Sequence, residues 1–216
     1  MCRLGVLVSG RGSNLEALIK AQQAGRLGAE IVVVISDNPK AEALQKASRY
    51  GIDCQLVDPR LYSDRFEFDR ALRRVLEKYR VDLVVLAGFL RILSAEFLAA
   101  FPGRVINIHP SLLPAFPGLR AQRQAWEYGV KYTGCTVHFV NEELDGGPII
   151  AQAVVPVLPE DTPESLAARI LAEEHKLYPQ VISWLAQGRV KIEGRRVIIC
   201  GIKDQKEGKK CGKDGL

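Results

Sequence analysis

The chain has 216 residues, 47% hydrophobic and 25% charged, with a formal charge of +5 at pH 7. This is the composition of an ordinary soluble globular protein, and the lack of any 18-residue apolar run excludes a transmembrane helix. Five scattered cysteines (Cys2, Cys54, Cys135, Cys200 and Cys211) argue against a disulfide framework and for reduced thiols in the cytoplasm.

The N-terminal MCRLGVLVSG has no cleavage-like small-residue site and reads as a first strand, not a signal peptide. RLGVLVSG (3–10) leads into a helix-like LEALIKAQQAG, and EIVVVISDN into AEALQKASRYG. DCQLVD, the helix-like DRFEFDRALRRVLEKYR, DLVVLAGF, the short SAEFLAAF and RVINIHP follow. These strands are continuous apolar runs, as expected where helices cover both faces of a sheet. Strand and helix in turn predict a single doubly wound, mostly parallel sheet of the Rossmann-like α/β class.

The second half forms a mixed C-terminal part. TGCTVHFVN and PIIAQAVVPV read as longer strands joined by the turn-rich EELDGG. Thr162-Pro163 has the pattern of an N-cap with Pro at the first helical position, opening SLAARILAEEHKLYP. Pro179 is expected to end or kink that helix near His175. A closing hairpin, GRVKIEGRRVII, precedes a lysine-rich end. No repeat or linker divides the chain, so residues 1–200 read as one domain and 201–216 as a basic flexible tail. That tail holds five Lys against three acids and so supplies +2 of the +5. The remaining charge is mixed in sign, with no basic stripe interleaved with aromatics, which argues against a nucleic-acid surface. A modest positive charge suits an anionic small substrate.

Three stretches carry chemistry. Strand one ends in SGRGSN, immediately before a helix. Glycines let the backbone approach a ligand, and the N–H groups at a helix start favour an anion, so Gly12, Ser13 and Asn14 fit a phosphate. The stretch equally fits a glycine turn with Ser13 or Asn14 as N-cap. Neither the full dinucleotide fingerprint nor the Walker pattern is present, which favours a monophosphate. In NIHPSLLP, Asn107 and His109 flank Ile108 at a strand's end, and alternate strand residues share a face. An amide donor and a titratable base therefore point the same way. Asp145, in LDGG, is a carboxylate for that histidine or a turn residue before glycine. At about 4 Å and an effective dielectric near 20, such a pair interacts by about 4 kcal/mol before desolvation. On a helical wheel Glu173 and Glu174 fall at the margins of the stripe Leu166, Ile170, Leu177 and Val181. An acid there is either partnered or exposed at a rim. Cys135 and His138 make a C-x-x-H pair that alternates to opposite strand faces, so no metal site is expected. His138 and His175 otherwise read as structural.

SGRGSN, LAGFLRIL, NIHPSLLP and LDGGPI, in this order and spacing from about residue 3 to residue 188, resemble the folate-dependent phosphoribosylglycinamide formyltransferases. The resemblance implies a phosphate contact at Gly12, Ser13 and Asn14, and a folate contact at Arg65, Leu90, Arg91, Ile92 and Leu93. It implies Asn107 and His109 as the catalytic amide and imidazole, with Asn107 also near the folate, and Asp145 as the carboxylate tuning the histidine. Glu174 matches a glutamate near the glycinamide amine. The implied substrates are 5′-phosphoribosylglycinamide and 10-formyltetrahydrofolate, with no metal, nucleic acid or membrane partner, in a monomer or homodimer. Arg120 and Gln122 stand where relatives commonly carry histidines, and Leu90 where methionine is frequent. Methionyl-tRNA formyltransferase and formyltetrahydrofolate deformylase are alternatives within the superfamily, each expected to carry an extra domain. Outside it, a non-catalytic phosphate-binding module is the alternative.

Overall fold

The computed structural model describes residues 1–201; from residue 202 on, the basic tail lies outside the described residues. The first half runs β1 (Cys2–Val8), α1 (Ser13–Gln23), β2 (Ala29–Ser36), α2 (Glu42–Arg49), β3 (Cys54–Leu56), α3 (Arg65–Lys78), β4 (Leu83–Leu86), α4 (Ala95–Ala100) and β5 (Val105–His109). After it come α5 (Ala121–Tyr128), β6 (Tyr132–Phe139), β7 (Ile149–Pro156), α6 (Pro163–Ala186) and the hairpin β8 (Val190–Glu193) and β9 (Arg196–Ile199).

Seven strands form one sheet in the order β3-β2-β1-β4-β5-β6-β7. Pairings from β3 through β5 are parallel, while β6 and β7 join antiparallel. Alternation along each strand divides the core between two faces. Leu4, Val6 and Val8 of β1, with Leu83 and Val85 of β4, meet Leu15, Leu18, Tyr178, Val181 and Ile182 from α1 and α6. Leu7, Val84 and Leu86 point the other way, against Phe68, Leu72 and Leu76 of α3 and Phe97 of α4. Apolar residues at every strand position are therefore needed, which is why these strands carry no alternating polar pattern.

Helix starts follow their capping residues. Asp64 accepts from the Glu67 N–H at 2.9 Å, and Ser94 from that of Phe97 at 3.2 Å. Thr162 and Ser165 form a reciprocal capping box with Pro163 just inside the helix.

Of the two outcomes expected at Pro179, an end or a kink, the end is not found: α6 continues to Ala186. Proline in a helix interior costs about 3 kcal/mol. Tyr178, Val181 and Ile182 beside it are fully buried, and burying three such side chains contributes about 5–9 kcal/mol. Packing wins. The buried Tyr178 hydroxyl donates to the Leu86 carbonyl at 2.8 Å, with the Ile106 carbonyl 3.3 Å away, pinning α6 to the ends of β4 and β5. Helix α5 is an element the sequence analysis does not anticipate. Only Ala121 and Ala125 bury there, too small a stripe to show periodicity; the legible signal is Gly129, its left-handed C-cap.

Candidate active site

Three of the expected stretches, at residues 12–14, 90–93 and 107–109, lie at or beyond the C-terminal ends of β1, β4 and β5. Along β5, Ile106 and Ile108 enter the core beneath α1 and α6, whereas Val105 enters the opposite core. Asn107 and His109 therefore share the face of Val105, as strand geometry predicts. On the antiparallel neighbour β6, His138 pairs with Asn107 and Thr136 with His109.

His109 is buried between two acceptors. Its Nδ1 lies 3.3 Å from Asp145 Oδ2, and its Nε2 lies 2.8 Å from the Phe116 carbonyl. The ring donates to both at once only when both nitrogens carry hydrogen. Asp145 Oδ2 also accepts from the Gly118 N–H at 2.8 Å, so the loop after β5 is tied to both members of the pair. Thr136 anchors the start of that loop, donating to Ser111 O at 2.7 Å and accepting from the Leu113 N–H at 3.0 Å. Phe116, Arg120 and Asp145 all have left-handed backbone, with φ of 55°, 58° and 52°. For residues with a Cβ this costs about 1–3 kcal/mol each, and such strain collects where surrounding structure enforces it. Gly147 closes the LDGG turn because a Cβ there would meet the Phe139 carbonyl oxygen.

A second imidazole completes the cluster. His138 Nε2 lies 3.8 Å from Asp145 Oδ1, while its Nδ1 lies 2.9 Å from the Phe139 carbonyl. Burial pushes this imidazole down from the ordinary histidine range, and the repulsion of His109 adds to it. His138, read from the sequence as structural, is thus buried facing the carboxylate next to His109. The available signal was its place on the strand antiparallel to Asn107, which only the pairing register reveals. Cys135, as expected, lies on the opposite face of β6, among Val155, Leu166 and Ile170. Burial pushes its thiol up to about 12.

The first loop turns into α1 with Gly12 itself as N-cap, at φ 69°, rather than Ser13 or Asn14. A Cβ on Gly12 would come within 2.6 Å of Ala43 Cβ, so both the conformation and the close approach of α2 require glycine. Ser13 and Asn14 stand in the first turn, where backbone N–H groups have no carbonyl one turn upstream. Asn14 is buried and donates from Nδ2 to Glu174 Oε2 at 2.7 Å, joining α1 to α6. Glu174, on the margin of the α6 stripe, is 6% exposed. Burial raises its carboxyl above the ordinary range, with the Asn14 hydrogen bond pulling the other way. Asn14 Oδ1 is buried without a protein partner.

Arg65, Leu90, Arg91 and Ile92 line a cleft of about 450 Å³ together with Tyr62 and Phe68. Leu90 is 70% exposed on its rim. Leu93 is 5% exposed and packs its side chain into the core with Phe68 and Phe97. Its carbonyl accepts from Arg65 Nη2 at 2.8 Å. Arg91 pairs with the buried Asp37 at 2.7 Å and lies over the Phe68 ring. Arg120 is exposed at the start of α5, and Gln122 is half-buried within it.

The formyl transferase family model matches residues 2–182. The chain belongs to the formyl transferase family. Phosphoribosylglycinamide formyltransferase of Escherichia coli K12 is 46% identical over 187 residues, covering 87% of this chain and 88% of that one. Glycinamide ribonucleotide transformylase 1 from Symbiobacterium toebii superposes with a TM-score of 0.91 at 56% identity, covering 92% of this formyl transferase and 94% of that one. The human trifunctional purine biosynthetic protein adenosine-3 is 46% identical over 203 residues. This formyl transferase spans only 14–20% of the length of such trifunctional relatives. Among its described residues no helix is long and apolar enough to cross a membrane.

Proposed function

We propose that the chain transfers the formyl group of 10-formyltetrahydrofolate to the amine of 5′-phosphoribosylglycinamide, as a single domain over residues 1–200. The observation that carries this reading is the buried His109–Asp145 pair, 3.3 Å apart, at the end of β5, with a glycine loop after β1 and a cleft of mixed polarity after β4. Gly12, Ser13 and Asn14 hold the phosphate, so that remote binding energy positions the amine. Glu174, held by Asn14, orients the glycinamide end. Arg65 and residues 90–93 receive the folate.

Asn107 and the imidazolium of His109 stabilise negative charge growing on the formyl oxygen as nitrogen bonds to carbon. Losing one such donor costs about 3–4 kcal/mol of barrier. Asp145 holds the His109 ring by Nδ1. The His109 nitrogen that meets the Phe116 carbonyl is the one free to turn to substrate, so that bond breaks before the reaction begins. The proton balance closes when the imidazolium of His109 gives its Nε2 proton to the departing folate nitrogen and recovers one from the amine, or when an ordered water carries the proton between the two nitrogens.

The test is the absorbance change on mixing the chain with phosphoribosylglycinamide and a 10-formyl folate, beside other primary amines and a no-amine control. Turnover only with phosphoribosylglycinamide supports the reading. Formate release without an amine points to a hydrolase instead, and binding without turnover to a non-catalytic phosphate-binding module.

A further inference from the structure

The sheet's connections diverge between β1 and β4: β1 continues to β2 on one side, while β4 continues to β5 on the other. Ligands of open α/β sheets bind at that divide, beyond the strand ends. Ser9 stands on it, one residue past β1 and 7% exposed. Every polar group of Ser9 is engaged. Its N–H donates to the Gly88 carbonyl at 3.1 Å, and its hydroxyl oxygen accepts from the Leu90 N–H at 3.0 Å. Its carbonyl accepts from the Asn38 side-chain amide at 3.0 Å. Next to Asn38, Asp37 holds Arg91.

Both attachments lead to the cleft wall. Leu90 has an exposed side chain and gains little from packing, so its backbone position depends on the bond to the Ser9 hydroxyl. Ser9 is also three residues ahead of Gly12, with the intervening Gly10 carbonyl held by the Ala43 N–H at 3.1 Å. A ligand that fixes the Gly12 loop thereby fixes where Leu90 and Arg91 stand.

We propose that Ser9 is a positioning residue that couples the two substrate sites, so that filling the loop at Gly12–Asn14 tightens the cleft at residues 90–92. The proposal rests on the reading of those stretches as the phosphate and folate sites. Coupling of this kind is reciprocal: each ligand improves the affinity of the other by the same factor. Ser9→Ala keeps the backbone bonds but leaves the Leu90 N–H without its acceptor. Ser9→Thr keeps the hydroxyl.

The experiment titrates 5,8-dideazafolate, a stable product analogue, into the full chain with and without saturating phosphoribosylglycinamide. For the parent, Kd is expected to fall about tenfold when phosphoribosylglycinamide is present. For Ser9→Ala that factor shrinks to within about twofold while the Kd for phosphoribosylglycinamide alone holds, and Ser9→Thr restores it. A second reading needs no variant: amide exchange of residues 88–93 in the parent slows when phosphoribosylglycinamide is added. Full coupling in Ser9→Ala, or no slowing at 88–93, overturns the proposal and leaves the functional reading standing. Equal losses for both ligands, tracking a lower Tm and without rescue by Thr, overturn it too. A parent that binds neither ligand overturns both.

Discussion

Replacing Asp145 with Asn removes a charge from the site with little change of shape. The Asn side-chain oxygen can keep the Gly118 N–H, and its amide then faces His138 Nε2, left without hydrogen when Nδ1 donates to the Phe139 carbonyl. The loop tether survives, and only the attraction for the His109 imidazolium is lost. At 3.3 Å and an effective dielectric of about 20, that attraction is about 5 kcal/mol. Both groups are nearly dry, and desolvation offsets roughly half, leaving about 2–3 kcal/mol. If this energy is realised in the transition state, kcat falls about 30- to 150-fold while both KM values stay within about threefold. Steady-state assay of folate conversion measures the split, with near-UV circular dichroism confirming the fold. A correctly folded Asp145→Asn enzyme whose kcat drops less than about threefold would refute the electrostatic account.

Gly12→Ala forces a Cβ against Ala43 at a left-handed position, so a loss of about 1–3 kcal/mol in denaturant unfolding is expected, with phosphate affinity falling alongside. Unchanged stability would show that the loop relaxes freely. Glu174→Gln separates charge from shape. The raised carboxyl makes the parent's stability contribution complete at low pH and progressively lost as pH climbs from the ordinary glutamate range through the shifted value. The Gln variant lacks this slope, so its Tm advantage should widen with pH while its KM for phosphoribosylglycinamide rises about tenfold; a constant Tm difference would contradict it. His138→Leu replaces a polar neighbour of Asp145 with an apolar wall, which disfavours the ionised carboxylate. A fall in kcat of about 3- to 10-fold is expected, and His138→Gln should restore it; an unchanged kcat would make His138 a packing residue only.

The sequence already contained the doubly wound sheet, because strands covered on both faces need apolar runs, and GVLV of β1, IVVVI of β2 and LVVL of β4 supply them. It also contained the shared orientation of Asn107 and His109, a consequence of strand period alone. The contact between Asn14 and Glu174 was half legible: the helical wheel put Glu174 at a core margin, but its partner lies 160 residues away. The nearness of His138 to Asp145 escaped because it follows from a cross-strand register, and the inward turn of the Leu93 side chain because Leu90, Ile92 and Leu93 are equally apolar around Arg91. The persistence of α6 through Pro179 escaped for a related reason. Local chemistry argued for a break, and the opposing energy came from tertiary burial of its neighbours.

Glu174 and Tyr178 are one helical turn apart on α6. The phenol grips β4 and β5 through the Leu86 and Ile106 carbonyls, and in the proposed function the acid faces the amine, so on that reading the helix sets the distance between sheet and acceptor. Any redesign for a longer or shorter acceptor must keep that four-residue interval, or move the grip and the reach together.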